Sequence, residues 1–182
     1  DLTDSDIERI DLPGEDLSGA VLKCTSMSGA NLMSCRFVMS ELEEAKLVGA
    51  NLSDALLEGA NLQNADLRSA NMLGARLVAV DLKDASGKPT GRLWPTNLSG
   101  ANLAGANLEG ADLSNARLTD ADLRGAKLKN ANLSNALLAG AFIADADMTG
   151  ANLEGVKLED AILEAVALDE SLDDDKLLAV AS

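Results

Sequence analysis

A bulky apolar residue falls on every fifth position of this chain, and no other feature restricts its fold so tightly. Leu, Ile, Met or Phe recurs at that interval from Ile7 to Leu82 and again from Leu93 to Leu168. Ala or another small residue stands two positions before it, with Asn or Asp often between. Gly, Asn, Asp or Ser commonly stands two positions after it. Ala101-Asn102-Leu103-Ala104-Gly105-Ala106-Asn107-Leu108 shows the unit at its purest. So short a repeat dictates what the remaining residues can do.

A period of five suits neither regular element. On an α-helix five residues advance about 500°, so the leucines would wander round the cylinder. On a straight strand five is odd, and successive leucines would change faces. The pattern is met by a short extended triplet, with the small residue inward, Asn or Asp outward and Leu inward, followed by two residues that turn the chain. The second turn position carries Gly29, Gly49, Asn64, Gly74, Gly105, Asn115, Asp120 and Gly125, among others of the same kind. These residue types tolerate φ > 0, as a type II turn requires. Each five-residue unit is therefore a corner.

These Ala-Asn-Leu and Ala-Asp-Leu runs resemble the pentapeptide-repeat family, whose pattern is written A(D/N)LXX, over roughly nine tenths of the chain. The resemblance implies an all-β solenoid, a right-handed quadrilateral β-helix with four pentapeptides per coil. About eight coils at the usual inter-strand spacing of about 4.8 Å would stand roughly 38 Å tall. Stacking at twenty residues predicts inward columns: Leu22, Leu42, Leu62 and Leu82; Leu12, Leu32, Leu52 and Met72; Leu17, Phe37, Leu57 and Leu77. In the second half they are Leu98, Leu118, Leu138 and Leu158, beside Leu103, Leu123, Ile143 and Leu163. Phe37 reads as a core residue. The outward row Asp11, Asn31, Asn51 and Asn71 predicts a side-chain ladder.

The chain divides into five stretches within one domain spanning 1–182. Residues 3–10 carry Thr3 and Asp6 at capping-box spacing with Ile7 and Ile10 on one face, which predicts a short capping helix; Ile7 also fits the beat, which leaves an irregular first corner open. Residues 11–84 form the first repeat block. Residues 85–97 break it: Leu82 and Leu98 lie sixteen residues apart, one more than three repeats require, and Gly87, Pro89, Gly91 and Pro95 mark an irregular loop with a register shift. Residues 98–170 form a second, purer block. In 171–182, Ser171 as N-cap, Asp173, Asp174 and Asp175 in the first turn and Leu177, Leu178 and Val180 beyond predict a capping helix; exposed instead, those leucines would make a dimer contact.

Composition supports a narrow bore: 47% of the 182 residues are hydrophobic, yet only 2% are aromatic and there is no His or Tyr. The net charge of −15 is uneven. Residues 1–16 hold seven acids and one base, residues 154–182 hold nine acids and two bases, and the shaft between is nearly neutral. No run of ~18 apolar residues predicts a membrane span, and the first residues lack the basic start and apolar stretch of a signal peptide. The missing initiator Met predicts a processed form or an excised domain. Cys24 at a turn and Cys35 at the small inward position read as unbridged thiols, compatible with a reducing, cytoplasmic setting.

Little in the sequence points to catalysis. Without His, Ser-His and Cys-His nucleophilic sites are excluded. Gly87-Lys88-Pro89-Thr90 lacks the glycine spacing of a phosphate loop, and Val156 stands where a calcium loop starting at Asp145 needs its bidentate Glu. Asn51-Leu52-Ser53, Asn97-Leu98-Ser99 and Asn132-Leu133-Ser134 match glycosylation sequons that the repeat generates by itself. We expect no catalytic residue, no cofactor and no metal. The expected role is a rigid, non-catalytic scaffold for an unidentified protein partner, monomeric or dimeric through a terminal cap, with no direct nucleic-acid binding. Trp94, the sole Trp, and Arg92 in the broken segment are the candidate contacts, with Trp94 also expected to pack on the rod's side. Two alternatives follow from resemblance alone. Some pentapeptide proteins mimic DNA and bind gyrase, which implies a largely negative rod. Others join a BTB domain to an array interrupted by an acidic-x-Ser-Gly segment, to which Asp84-Ala85-Ser86-Gly87 before Ala101-Asn102-Leu103 is similar; that implies an adaptor in ubiquitin ligation.

Overall fold

The protein, described here by a computed structural model covering residues 1–163 and 166–168, is a right-handed quadrilateral β-helix. Each side is so short that its middle residue alone sits in a parallel bridge to the coil above, beginning at Asp6 with Ser26 and ending at Asp147 with Ala167. Successive partners are twenty residues apart throughout, except where the chain crosses its interruption.

In its purest form the five-residue unit gives every backbone N–H a partner. In the unit starting at Asn102, the Asn102 amide donates to Ala65 O below at 2.9 Å, and those of Leu103 and Gly105 donate to Asp122 O and Arg124 O above at 2.7 and 2.9 Å. Ala106 N closes the turn onto Leu103 O at 2.9 Å. The fifth donor, Ala104 N, is taken by the Asn102 side chain at 3.1 Å. This last bond explains the outward Asn or Asp: its Oδ1 caps the first amide of the following corner, as Asp16 does for Ser18, Asn97 for Ser99 and Asp112 for Ser114. A unit capped in this way leaves no backbone donor unpaired to oppose folding.

Inside, the bulky residues from Leu22 to Leu77 and from Leu98 to Met148 are 0–2% exposed, and the alanines between them are equally covered; towards the last coils the cover thins, with Leu153 only partly buried. Phe37 fits the same bore at 0% exposure. Small polar residues at inward positions donate to carbonyls: Thr25 Oγ1 to Leu2 O at 2.7 Å, Cys35 Sγ to Leu12 O at 2.7 Å and Ser40 Oγ to Phe37 O at 2.8 Å. Each is thereby buried without an unpaired polar atom. All the second turn positions named from sequence have positive φ, from Gly29 at 67° to Asn115 at 59° and Asp120 at 57°.

The expected ladder forms and runs one coil further than predicted. Asn31, Asn51, Asn71 and Asn107 each pass an Nδ2 hydrogen bond to the side chain below at 2.7, 3.2, 3.1 and 3.1 Å, ending on the acceptor-only carboxylate of Asp11. Lys127 occupies the next position of that column and ends it.

Three expectations are corrected. Residues 3–10 are not a helix: Leu2, Asp4, Ile7 and Arg9 donate to Val21, Lys23, Ser26 and Ser28 carbonyls at 2.8–3.0 Å, with Asp4 and Arg9 at φ 57° and 55°. So short a helix is marginal by itself, and the ladder offers its donors fixed acceptors; Thr3 Oγ1, the expected cap, bonds Asp1 instead at 2.7 Å. Second, the interruption shifts no register. Asn61 bridges Asn97, Asp66 bridges Asn102, Asn71 bridges Asn107 and Arg76 bridges Asp112, each spanning 36 residues, sixteen more than a coil. Third, Leu82 therefore leaves the column of Leu62, whose place above is filled by Leu98. The excess is extruded as an antiparallel hairpin of β1 (Val80–Lys83) and β2 (Pro89–Trp94). The second capping helix, 171–182, lies outside the described residues.

Candidate interaction surface

The hairpin leaves the corner after Leu77, and its tip is built by Asp84. That carboxylate accepts from Ser86 N at 2.8 Å, Ser86 Oγ at 2.6 Å and Lys88 N at 3.1 Å. The Ser86 hydroxyl first, then the Lys88 and Ser86 amides, hold Asp84 below the usual carboxylate range. The strands pair Val80 with Trp94 and Asp81 with Leu93, then slip before Lys83 meets Pro89. Side chains fill the irregularity: Gly91 N donates to Asp81 Oδ1 at 3.0 Å and Thr90 Oγ1 to Leu82 O at 2.5 Å. Both hairpin carboxylates are thus spent on backbone amides. Lys83, Lys88 and Arg92 make no ion pair among the described residues.

The root is fastened to the shaft. Thr96, fully buried, accepts from Gly59 N at 2.9 Å and lies 3.0 Å from the carbonyls of Leu57 and Val78. Trp94 Nε1 donates to Gly59 O at 3.2 Å. Gly59 (φ +66°) is roofed so closely that a Cβ there would lie 2.6 Å from Met39 Sδ, 3.0 Å from Val80 Cγ2 and 3.2 Å from Trp94 Cδ1. Trp94 therefore packs on the rod's side, as expected from sequence, while remaining 50% exposed.

Beside the ring opens a groove of about 280 Å³ lined by Asn61, Trp94, Pro95, Asn97 and Arg117. Its floor is polar, with the Asn61 and Asn97 amides satisfied, although Glu43, which Asn61 grips through Oε1, has its Oε2 buried without a partner. Asn97 Nδ2 donates to Asn61 Oδ1 at 3.0 Å, Asn61 Nδ2 to Glu43 Oε1 at 2.7 Å, and Asn97 Oδ1 accepts from Ser99 N and Oγ at 3.1 and 2.7 Å. Arg117, directly above Asn97 in the stack, is exposed and forms no ion pair among the described residues. Other surface arginines are engaged: Arg68 and Arg124 grip Asp66 and Asp122 with two bonds each at 2.8 and 2.6 Å, and Arg76 meets Glu58 at 3.2 Å.

Of the residues singled out from sequence, Trp94 lines the groove and Arg92 lies two positions before it on β2, hence on the same strand face. Arg117, Asn97 and Asn61 were missed. Their alignment becomes readable only when sixteen residues are removed and the Asn61, Asn97 and Arg117 column is written as one. The cysteines offer no reactive centre. Burial raises the Cys35 thiol, and burial followed by the Glu44 and Asp4 charges raises Cys24; both are unbridged. Among the described residues no His, Cys, Asp or Glu cluster has the arrangement of a metal site, and no helix is long and apolar enough to cross a membrane.

With the corners, columns and bore in view, the fold defines the class: a quadrilateral solenoid built from five-residue turns. The chain belongs to the pentapeptide-repeat family, whose profile matches in eight copies over residues 1–37, 45–84, 96–135 and 126–164. A search of curated protein sequences gave no match. Among solved structures, a trypsin-treated form of QnrB1, a plasmid-mediated fluoroquinolone resistance protein, is 19% identical over 100% of this chain and 90% of its own, with a TM-score of 0.54. Alr5209, a pentapeptide repeat protein from Nostoc PCC 7120, is 36% identical over 72% of this chain and 81% of its own, with a TM-score of 0.36. HetL, from Nostoc sp. strain PCC 7120 and involved in heterocyst differentiation regulation, is 29% identical over 89% and 84%, with a TM-score of 0.36.

Proposed function

We propose that this protein is a non-catalytic interaction scaffold, a stiff rod that offers a hairpin and the adjoining groove to a protein partner. The observation that supports this reading is the contrast in polar satisfaction. On the shaft Arg68, Arg76 and Arg124 are engaged by carboxylates, whereas beside the hairpin a half-exposed indole and an unpaired guanidinium face solvent together. Aromatic and Arg side chains at a concave rim are the usual anchors of a protein interface. The filled bore leaves chemistry only the outer faces, which supports a role without catalysis.

The gyrase-binding, DNA-mimicking reading draws on fold likeness to a fluoroquinolone resistance protein at 19% identity. The outer rows here favour the scaffold instead, since neutral Asn31, Asn51, Asn71 and Asn107 fill one face and Arg117 and Lys157 another. The test compares the full chain with a variant lacking residues 80–95 and carrying Ala79→Gly, which restores the five-residue beat from Leu77 to Leu98. A partner captured by the first and lost by the second is the expected result. Identical capture by both removes the hairpin from the interface, and inhibition of gyrase supercoiling at micromolar protein replaces the scaffold with the mimic.

A further inference from the structure

The geometry points to an extended acidic peptide as the occupant of the groove beside Trp94, one that sets a carboxylate on Arg117 and a large aliphatic side chain against Trp94 and Pro95. This deepens the scaffold reading and rests on it. A space of about 280 Å³ admits a side chain or two and the backbone that carries them, not a folded domain. One wall is apolar, formed by the exposed half of the indole and the Pro95 ring, so it selects a bulky hydrocarbon group. The floor discriminates little by hydrogen bonding, because the Asn61 and Asn97 amides are already bound to each other, to Glu43 and to Ser99. The rim supplies the polar specificity. Arg117 is without a carboxylate partner among the described residues, and its planar fork matches a carboxylate in two-bond geometry.

Charge sharpens the choice. The protein carries a net −15 that is concentrated in residues 1–16 and 154–182, so a generic acidic partner is repelled by those two stretches. At the hairpin the sign reverses locally: Lys83, Lys88 and Arg92 outnumber Asp81 and Asp84, and the two carboxylates are turned to Gly91 N and to Ser86 and Lys88 N while the three cations remain unpaired among the described residues. An acidic segment is guided to this place and refused at the acidic terminal stretches. A cationic peptide meets the opposite: attraction to the rod's ends and repulsion at the groove. A nucleic-acid strand would present phosphate to the same guanidinium, but its continuous charge must run along a nearly neutral shaft that has one indole for stacking.

Trp94 is the only Trp, so its fluorescence reports the groove directly. The full chain is titrated with three acetylated, amidated decapeptides, alternating Glu with Leu, Lys with Leu, and Glu with Gly, and with a ten-nucleotide thymidylate strand. The Glu–Leu peptide is expected to saturate with a blue shift and to bind at least tenfold tighter than the other three. Arg117→Gln should weaken it at least fivefold, whereas Lys157→Gln, two coils along the same face, should leave it within twofold. Equal binding of the Lys–Leu peptide, preference for the nucleotide, no perturbation of Trp94, or indifference to Arg117→Gln each overturns the inference. A hairpin that still captures a protein partner while ignoring the Glu–Leu peptide removes this occupant and leaves the scaffold standing; loss of both removes the scaffold as well.

Discussion

The shaft and the hairpin obey opposite rules. In the shaft each five-residue unit has one way to satisfy its amides, one column for its bulky residue and one place for its outward Asn or Asp. Between Val80 and Trp94 the same chain keeps a residue on the beat, Leu93, yet leaves it 52% exposed. The difference teaches that periodicity fixes a fold only where stacking partners exist above and below. The coils beneath and above the hairpin pair with each other directly, Asn61 with Asn97 and Asp66 with Asn102, so the inserted residues have no vacant layer to fill and are free to face solvent.

The widest separation between the two regions should appear in equilibrium urea unfolding. Leu98→Ala, in the column of Leu62, is expected to cost about 2–5 kcal/mol, while Leu93→Ala on β2 should change stability by no more than about 0.5 kcal/mol. Comparable losses at the two sites would erase the distinction.

Next in size is the joint between them. Gly59→Ala meets both a left-handed backbone and the Met39, Val80 and Trp94 roof, and should cost about 2 kcal/mol or more. Part of that strain is relieved by lifting Trp94, so its emission should move to longer wavelength. Unchanged emission with full stability would mean that the hairpin is not seated on this corner.

A smaller effect has the opposite sign. Before the hairpin the second turn position holds Arg9, Cys24, Ser34, Met39, Glu44 and Ser69 in the left-handed region, whereas from Gly100 onward it holds only Gly, Asn or Asp among the described residues. Glu44→Gly should therefore stabilise by about 1 kcal/mol, read as a higher urea midpoint. A drop would show that the Glu44 side chain makes a contact worth more than its strain.

The least effect concerns pH. Hydrogen bonds from Arg68 and Arg124 hold Asp66 and Asp122 below the ordinary carboxylate value. A carboxylate depressed on folding contributes stability that is full above its unfolded value near 4 and lost as pH falls through the lower folded value. Both pairs are partly exposed and screened by solvent, so acid unfolding below pH ~4 should be shallow and lessened further in Arg68→Gln with Arg124→Gln. An equally steep acid transition in that double variant would assign the loss to other groups.

Much of the shaft was legible because its signals are redundant. Leu103, Leu123 and Ile143 announce a column three times over, and Asn115 or Asp120 names a left-handed corner by type alone. The ladder from Asp11 to Asn71 followed from the same spacing. What stayed hidden was what a period cannot encode. Leu82 and Leu93 keep the beat but belong to the hairpin, so sixteen extruded residues read as three units and a slip. Thr3 and Asp6 fit a helix cap locally, and only the acceptors on residues 21–28 decide otherwise. Trp94 stood out as a lone aromatic; Arg117 did not, because its significance lies in a neighbour thirty-six residues below Asn97 in sequence but one coil below it in space.

Amide hydrogen exchange on the chain lacking residues 80–95, with Ala79→Gly, tests the central claim most directly. If the coils pair through the interruption, the amides of Leu62, Leu67, Asn97 and Asn102, which donate across it, keep the protection they have in the full chain to within about threefold, as expected for sites whose opening follows global unfolding. A hundredfold loss confined to those amides would show that the hairpin holds the two blocks together, and the division between a self-sufficient shaft and a projecting contact element would be wrong.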